Sequence, residues 1–453
     1  MPTRSPRSGV IIGAGVAGLA AARHLASCGV RVQVLEARDR IGGRIVTRRA
    51  PGFLDPMELG AEFIHGEAPE TYELLESAGL RSVDIDGRRY ELRGRRLQQA
   101  DDFWEQLHGV TRLLPAALRR AGSDLAFSAF LDRKPGGRRA AHARHTLLRF
   151  AEGFLGADPA RLSARSMSGD DDPTGDPEAQ RMGRVVDGYD RLVDAMAAPI
   201  AGAIRLSTVV TRITWQRGLV EIESRSAAGR RRPTAKASHV LLTVPLGVLK
   251  SSAGAIGDID VTPPLTMKAE ALAGMDMGTV VRVVLRFRSR FWTGDSVARR
   301  AGGASLDALS FVQANDETFP VWWTHYPSRS PIIVGWRGGP GARDLDRLKD
   351  DQVVVEALGS LERIFGTSRR RLGALLEGAW LHRWDSDPFS RGAYSYQLVG
   401  GAQAPEALAR PVRGTLFFAG EATAPDGRIG TVDGAIASGL RAAKQILRAI
   451  GRR

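Results

Sequence analysis

Apolar and polar residues alternate along three stretches in ways that name their secondary structure. Residues 9–36, GVIIGAGVAGLAAARHLASCGVRVQVLE, open with a short apolar run and pass through closely spaced glycines. Small apolar residues at helical spacing follow, then a second apolar run. Short apolar runs bounded by glycine read as strands buried on both faces, and the longer segment as a helix. Residues 417–447, FFAGEATAPDGRIGTVDGAIASGLRAAKQIL, repeat the first half of that order, with a helix expected from about Thr431. Between them, residues 184–200 read as a helix, and 204–215 and 219–224 as two strands rejoining the first unit. Residues 103–121 read as helical, and 278–287 and 331–339 as strands.

The opening turn carries Gly13, Gly15 and Gly18 in the spacing GxGxxG. The first glycine permits the tight turn, the second lets the backbone approach a pyrophosphate, and the third lets helix and strand pack closely. The helix N-terminus offers N–H groups and a positive dipole end to phosphates. Glu36 ends the second strand, 18 residues beyond Gly18, where a carboxylate can accept from ribose hydroxyls. With strand, helix and acidic residue all in place, the motif specifies a dinucleotide site.

Bulk properties narrow the class. A chain of 453 residues exceeds one small core, so two domains are expected. One cysteine, Cys28, excludes a disulfide framework within the chain and a cysteine-rich metal site, and the eight histidines show no metal-ligand spacing, so no metal is expected. The N-terminus imitates a secretory leader ending in Leu-Ala-Ser-Cys. Its uncharged run, Gly9 to Ala22, is only 14 residues, below the roughly 20 that span a bilayer. Removing it would delete the nucleotide motif. An unprocessed cytoplasmic protein with no membrane segment is expected. The net charge of +14 rests on 58 arginines against six lysines, which we read as codon composition. Arg230–Arg232 and Arg369–Arg371 lack any recognition motif, so a nucleic-acid partner is not expected.

Beyond Glu36 the text EARDRIGGR adds Arg38, Gly42, Gly43 and Arg44, a second cationic, glycine-rich turn. This resembles the FAD-binding signature of the flavin amine oxidase superfamily, which includes monoamine and polyamine oxidases, flavin-type lysine demethylases and L-amino-acid oxidases. The resemblance continues in family order at MELGAEFIHG (57–66), HVLLTVPLGVLK (239–250) and RWDSDPFSRGAYSY (383–396). It implies an α/β chain with a discontinuous Rossmann-like FAD domain, residues 1–85, 185–260 and 380–453, completed by the C-terminal strand and helix. Residues 86–184 and 261–379 would form an α+β substrate domain. Cofactor contacts implied are Gly13, Gly15, Ala17, Gly18, Glu36, Ala37, Arg38, Gly43 and Arg44, then Gly60, Ala61, Glu62, Val210, Thr243 and Pro245. Trp384, Gly420, Glu421, Thr431, Val432 and Ala435 complete the set. A helix beginning near Thr431 would aim its positive end at the flavin, stabilising negative charge there by on the order of 1 kcal/mol.

The chemistry implied is transfer of a hydride equivalent from the carbon beside an amine nitrogen, then hydrolysis of the imine, with O₂ the expected acceptor and H₂O₂ released. By resemblance, Trp384 and Tyr394 form aromatic walls, Thr431 stands where monoamine oxidases carry a second tyrosine, and His65 is a pocket histidine. Ala393 replaces the cysteine that bonds FAD in monoamine oxidases, so FAD is expected to be noncovalent. Glu62, Glu152 and the run Asp170–Asp172, centred on Asp171, are candidate carboxylates for a cationic substrate such as a polyamine. Arg282 departs from the family, which carries a lysine there: arginine keeps its charge, and it could instead hold a substrate carboxylate. Two alternatives follow, an L-amino-acid or other anionic-substrate oxidase and a flavoprotein without oxidase turnover.

Overall fold

The computed structural model describes residues 8–53, 55–100, 112–133, 138–167, 181–424 and 427–451. A five-stranded parallel sheet lies at its centre. Ser8–Ile12 is flanked by Arg31–Leu35 on one side and His239–Leu242 on the other. Ile204–Arg205 and Leu416–Phe418 form the two edges. The chain builds outward on one side and later on the other, so the order reverses beside Ser8–Ile12. In such sheets the crevice beyond the strand carboxyl ends at the reversal is the ligand site. Gly13, Glu36, Thr243 and Ala419 directly follow those strand ends.

Helices Val16–Ser27 and Val432–Gly451 pack on one face of this sheet over Leu19, Leu25, Ile436 and Ile446. They approach closely because a Cβ at Gly439 would lie only 2.2 Å from the Ala17 carbonyl oxygen. The opposite face is covered by a four-stranded sheet of Thr208–Gln216, Leu219–Ser226, Ala235–Ala237 and Asp260–Thr262. Of the segments expected to rejoin the first unit, only Ile204–Arg205 pairs with the parallel sheet; the rest join it by packing. Thr208–Gln216 buries alternate residues, and a strand with one wet face does not fit a sheet buried on both sides.

A seven-stranded sheet forms the second layer. Its order is Leu376–Leu381, Val280–Phe287, Ile332–Gly338, Val321–Thr324, Leu309–Gln313, Arg88–Arg93 and Arg96–Gln99. Helix Asp350–Phe365 covers one face through Val281, Val283, Leu285, Phe287 and Trp322. Strand alternation therefore turns Arg282 and Trp323 to the other face. Two expectations need correction. The hairpin Arg88–Gln99 precedes the helical region, which continues as Leu114–Ala121, Phe127–Asp132 and Arg138–Leu155. Residues 184–200 are not one helix: Met182–Val185 pairs with Phe63–His65 and Ser82–Asp84, and the helix begins at Asp190. No helix among the described residues is long and apolar enough to cross a membrane.

Candidate active site

A cavity of about 410 Å³ starts at the glycine turn beyond the parallel sheet and reaches the second layer. Gly13 adopts φ +106°, and a Cβ there would meet Thr243 Oγ1 at 2.6 Å. Thr243 Oγ1 donates to the Ile12 and Gly13 carbonyl oxygens at 2.8 and 3.2 Å, fastening the turn to the sheet. Glu36 is buried, and its two oxygens accept from Ala14 N at 2.7 Å and Arg38 N at 2.9 Å. A carboxylate has about four acceptor positions, so capacity remains on the side that lines the cavity. The first turns of Val16–Ser27 and Val432–Gly451 line it too, presenting two positive helix ends. Acceptor carboxylate, glycine cradle and two helix N-termini suit FAD.

Arginines join the segments around this crevice. Arg38 Nη2 contacts both Asp387 oxygens and Ser390 Oγ at 2.9 Å. Arg44 Nη1 donates to Ala393 O at 2.7 Å and Glu421 Oε1 at 2.9 Å. Glu421 Oε2 accepts from Ser395 Oγ at 2.6 Å and Gly430 N at 3.1 Å. Residues hundreds of positions apart thus share one ionic frame. Ala393 lines the cavity, whereas Cys28 is exposed beyond the first helix.

Trp384 and Tyr394 line the same cavity. Trp384 Nε1 donates to Leu59 O at 3.0 Å, and His382 lies 3.9 Å from its ring while sharing a 3.0 Å contact with Asp387. The Tyr394 hydroxyl donates to Phe154 O at 2.7 Å, and burial, then Glu421, push it above the usual phenol range. Thr431 Oγ1 accepts from Gly434 N at 2.9 Å and donates to Arg428 O at 2.8 Å, so this residue caps the closing helix, which starts at Val432. His65 lines the cavity beside Phe154, and burial pushes its ring down to about 4.

Behind the wall is a buried ion cluster. Arg282 donates from Nη2 to Glu62 Oε2 and from Nη1 to Gly60 O, the latter at 2.7 Å. Arg184 Nε reaches Glu62 Oε1 at 2.9 Å, and Trp323 Nε1 reaches Oε2 at 3.0 Å. Burial alone would raise Glu62, but Arg282, Arg184 and His325 hold it well below the usual carboxylate range. Burial lowers Arg282 from its ordinary value against the pull of Glu62. Glu58 accepts from Tyr189 N at 2.8 Å and Thr47 Oγ1 at 2.7 Å, and burial pushes its carboxyl up to about 8.

Of the residues named from the sequence for cofactor contact, all line this cavity except Gly18. A Cβ at Gly18 would lie 2.0 Å from Gly13 O, so its place is in the packing of helix on turn. Glu152 stands outside the lining, with Arg149 Nη1 at 2.6 Å from its carboxylate. Asp171 lies outside the described residues. Glu62 lines the cavity but spends both oxygens on arginines and an indole. Sequence reasoning missed Arg89, Phe150, Phe154, Phe311, Trp323 and Trp336, which build the far end of the cavity. The doublet Trp322–Trp323 held a signal, since adjacent strand residues face opposite sides of the sheet and the two indoles could not pack in one cluster.

The comparisons with known proteins come to the same architecture. The model of the family described as flavin containing amine oxidoreductase matches residues 16–447. Polyamine oxidase 2 of Arabidopsis thaliana is 31% identical over 98% of this chain and 88% of its own length. Lysine-specific histone demethylase 2 of Homo sapiens is 27% identical over 97% of this chain and 53% of its own. Among solved structures, cyclohexylamine oxidase from Brevibacterium oxydans IH-35A superposes with TM-score 0.79 at 22% identity, covering 99% of this chain and 100% of that one. A putrescine oxidase bound to putrescine gives 0.77 at 22%, covering 98% and 99%. At that identity the structural likeness shows the fold.

Proposed function

The chain belongs to the flavin-containing amine oxidoreductases, and from that premise we propose that it oxidises a primary or secondary amine and passes the electrons to O₂, releasing H₂O₂. The observation that carries this reading is the single cavity lined at one end by Glu36 and the glycine turn, at the other by aromatic rings, with Trp384 and Tyr394 in its wall. FAD, when bound noncovalently, supplies the two-electron acceptor. Gly13, Gly15, Glu36, Arg44 and the closing-helix N-terminus would hold it.

The C–H bond beside nitrogen breaks with its electron pair leaving as a hydride equivalent, while the nitrogen lone pair forms C=N. Water then hydrolyses the imine to a carbonyl compound and the released amine. No protein nucleophile is needed; the chain must orient a neutral amine and keep water out until hydride has left. Trp384, fixed by Leu59 O and His382, and Tyr394, fixed by Phe154 O, are suited to orienting it. His65 stays neutral at pH 7 and can accept a hydrogen bond from the amine without adding charge.

The anionic-substrate reading drew on Arg282, whose two terminal nitrogens are committed to Glu62 and Gly60 O. We place the amine reading first for that reason. Anaerobic addition of amines to the FAD-loaded protein should bleach the flavin absorbance, and air should restore it with stoichiometric peroxide. Reduction by amino acids alone would reverse the ranking, and reduction by neither would leave a flavoprotein without turnover.

A further inference from the structure

The Trp384 indole in the cavity wall is buried, and its contacts define how it is held. Nε1 donates to Leu59 O at 3.0 Å, and a Cβ at Gly60 would lie 3.1 Å from Cζ2, so the six-membered edge is seated on that glycine. An indole has a single donor, and one hydrogen bond leaves the ring free to tilt about it. The tilt is opposed by the His382 ring, 3.9 Å away between centroids with the planes 47° apart. His382 directly follows strand Leu376–Leu381, which pairs with Val280–Phe287. The histidine thus carries the frame of the second layer to the indole.

His382 is itself aimed. Its Nε2 lies 3.0 Å from Asp387 Oδ2. Burial alone would raise Asp387, but the His382 hydrogen bond, then Arg38, hold it well below the usual carboxylate range. An ionised carboxylate only accepts, so His382 carries a proton on Nε2, and its ring cannot turn over without losing that bond. Asp387 is pinned in turn. Phe389 N donates to Oδ1 at 2.9 Å, and Arg38 Nη2 contacts both oxygens at 2.9 Å. Arg38 lines the cavity, and its backbone N–H donates to Glu36 Oε1 at 2.9 Å. A continuous chain of contacts therefore runs from Glu36 through Arg38, Asp387 and His382 to Trp384.

We infer that Asp387 and His382 are positioning residues for amine oxidation: Asp387 ties Arg38 at the cofactor end to His382, and His382 sets the tilt of the indole against which the amine is oriented. Neither residue lines the cavity, so both act through neighbours that do. The inference rests on the amine-oxidation reading and deepens it, because it links the cofactor end of the cavity to the aromatic wall.

His382→Ala should lower the limiting rate of anaerobic flavin reduction by about tenfold or more, since a small misplacement at the reacting atoms is costly. The amine dissociation constant and FAD retention should change little. In a Trp384→Phe background the same substitution should add no further loss, as expected of a residue that acts through the indole. His382→Phe keeps a ring but has no donor for Asp387, and it should not restore the rate. Asp387→Asn should slow reduction and also release FAD sooner on dialysis, because Arg38 loses its carboxylate. The indole N–H signals of FAD-loaded protein labelled with ¹⁵N-tryptophan give a reading without substrate, and the signal missing in Trp384→Phe is that of Trp384. It should shift or broaden in both His382→Phe and Asp387→Asn. An unmoved Trp384 signal in both variants overturns the inference. So does an equal loss from His382→Ala with and without Trp384, or a full rate in His382→Phe. If no amine reduces the wild-type flavin, the oxidase reading fails by itself, and the Trp384 signal alone decides whether Asp387 and His382 set the tilt.

Discussion

Arg282 shows how one side chain can be tied to structure and chemistry together. It is buried, shares Glu62 with Arg184 and holds the Gly60 carbonyl in the cavity wall. Removing one partner of a buried pair leaves an uncompensated charge and costs about 3–5 kcal/mol. Arg282→Met should lose that much in chemical denaturation of the FAD-loaded protein; a loss near zero would mean Glu62 is satisfied by Arg184 alone. Arg282→Lys should keep most of the stability. His65 yields a pH prediction. Its folded value, about 4, lies below the ordinary histidine value of 6.5, so between these the unfolded chain binds the proton and the native one does not. Stability therefore rises with pH across that window and is lost as pH falls through it. His65→Gln should flatten the melting temperature against pH between about 4 and 6.5. A wild-type-like slope in the variant would locate the acid sensitivity elsewhere, with His325, pushed down to about 3, the next candidate.

Among the elements, the closing helix Val432–Gly451 does most to shape the site. Its Thr431 cap ties Gly434 N to the turn, and Asp433 in its first turn accepts from Thr71 N at 2.9 Å while Arg428 bridges Asp433 and Glu70. Thr431 stood in the sequence as a wall residue; its hydroxyl is committed to the cap. Thr431→Ala should cost about 1 kcal/mol and weaken FAD retention, whereas Thr431→Ser should restore both. Dialysis followed by flavin absorbance reads the second effect. Equal losses in the two variants would mean that the methyl group, not the cap, matters.

For the whole molecule, the cofactor crevice is assembled from three distant parts of the chain held by Arg38, Arg44 and Glu421. Glu36→Ala removes the acceptor of two backbone N–H groups and the carboxylate that lines the crevice, so the protein should lose FAD on dialysis and melt earlier. Full occupancy after dialysis would refute Glu36 as the ribose acceptor. In the wild-type protein, acid or heat should release intact FAD, since Ala393 has no thiol and Cys28 is exposed outside the cavity. Flavin precipitating with the polypeptide would contradict this.

What the residues determined alone was whatever depends on neighbours in the chain. GxGxxG followed by Glu36 prescribes a strand, a turn and a helix end, because glycine conformation and hydrophobic spacing are local properties. The apolar, valine-rich run in 278–287 likewise marked a strand. Contacts across hundreds of positions were decided by the tertiary structure. Glu62 read as a substrate carboxylate because nothing local reveals that Arg184 and Arg282 converge on it. Glu152 read as a pocket residue, yet its helix turns it toward Arg149. The aromatic far end of the cavity was invisible for the same reason. Its rings come from separate segments, and such a wall exists only once sheet pairing has brought their faces together.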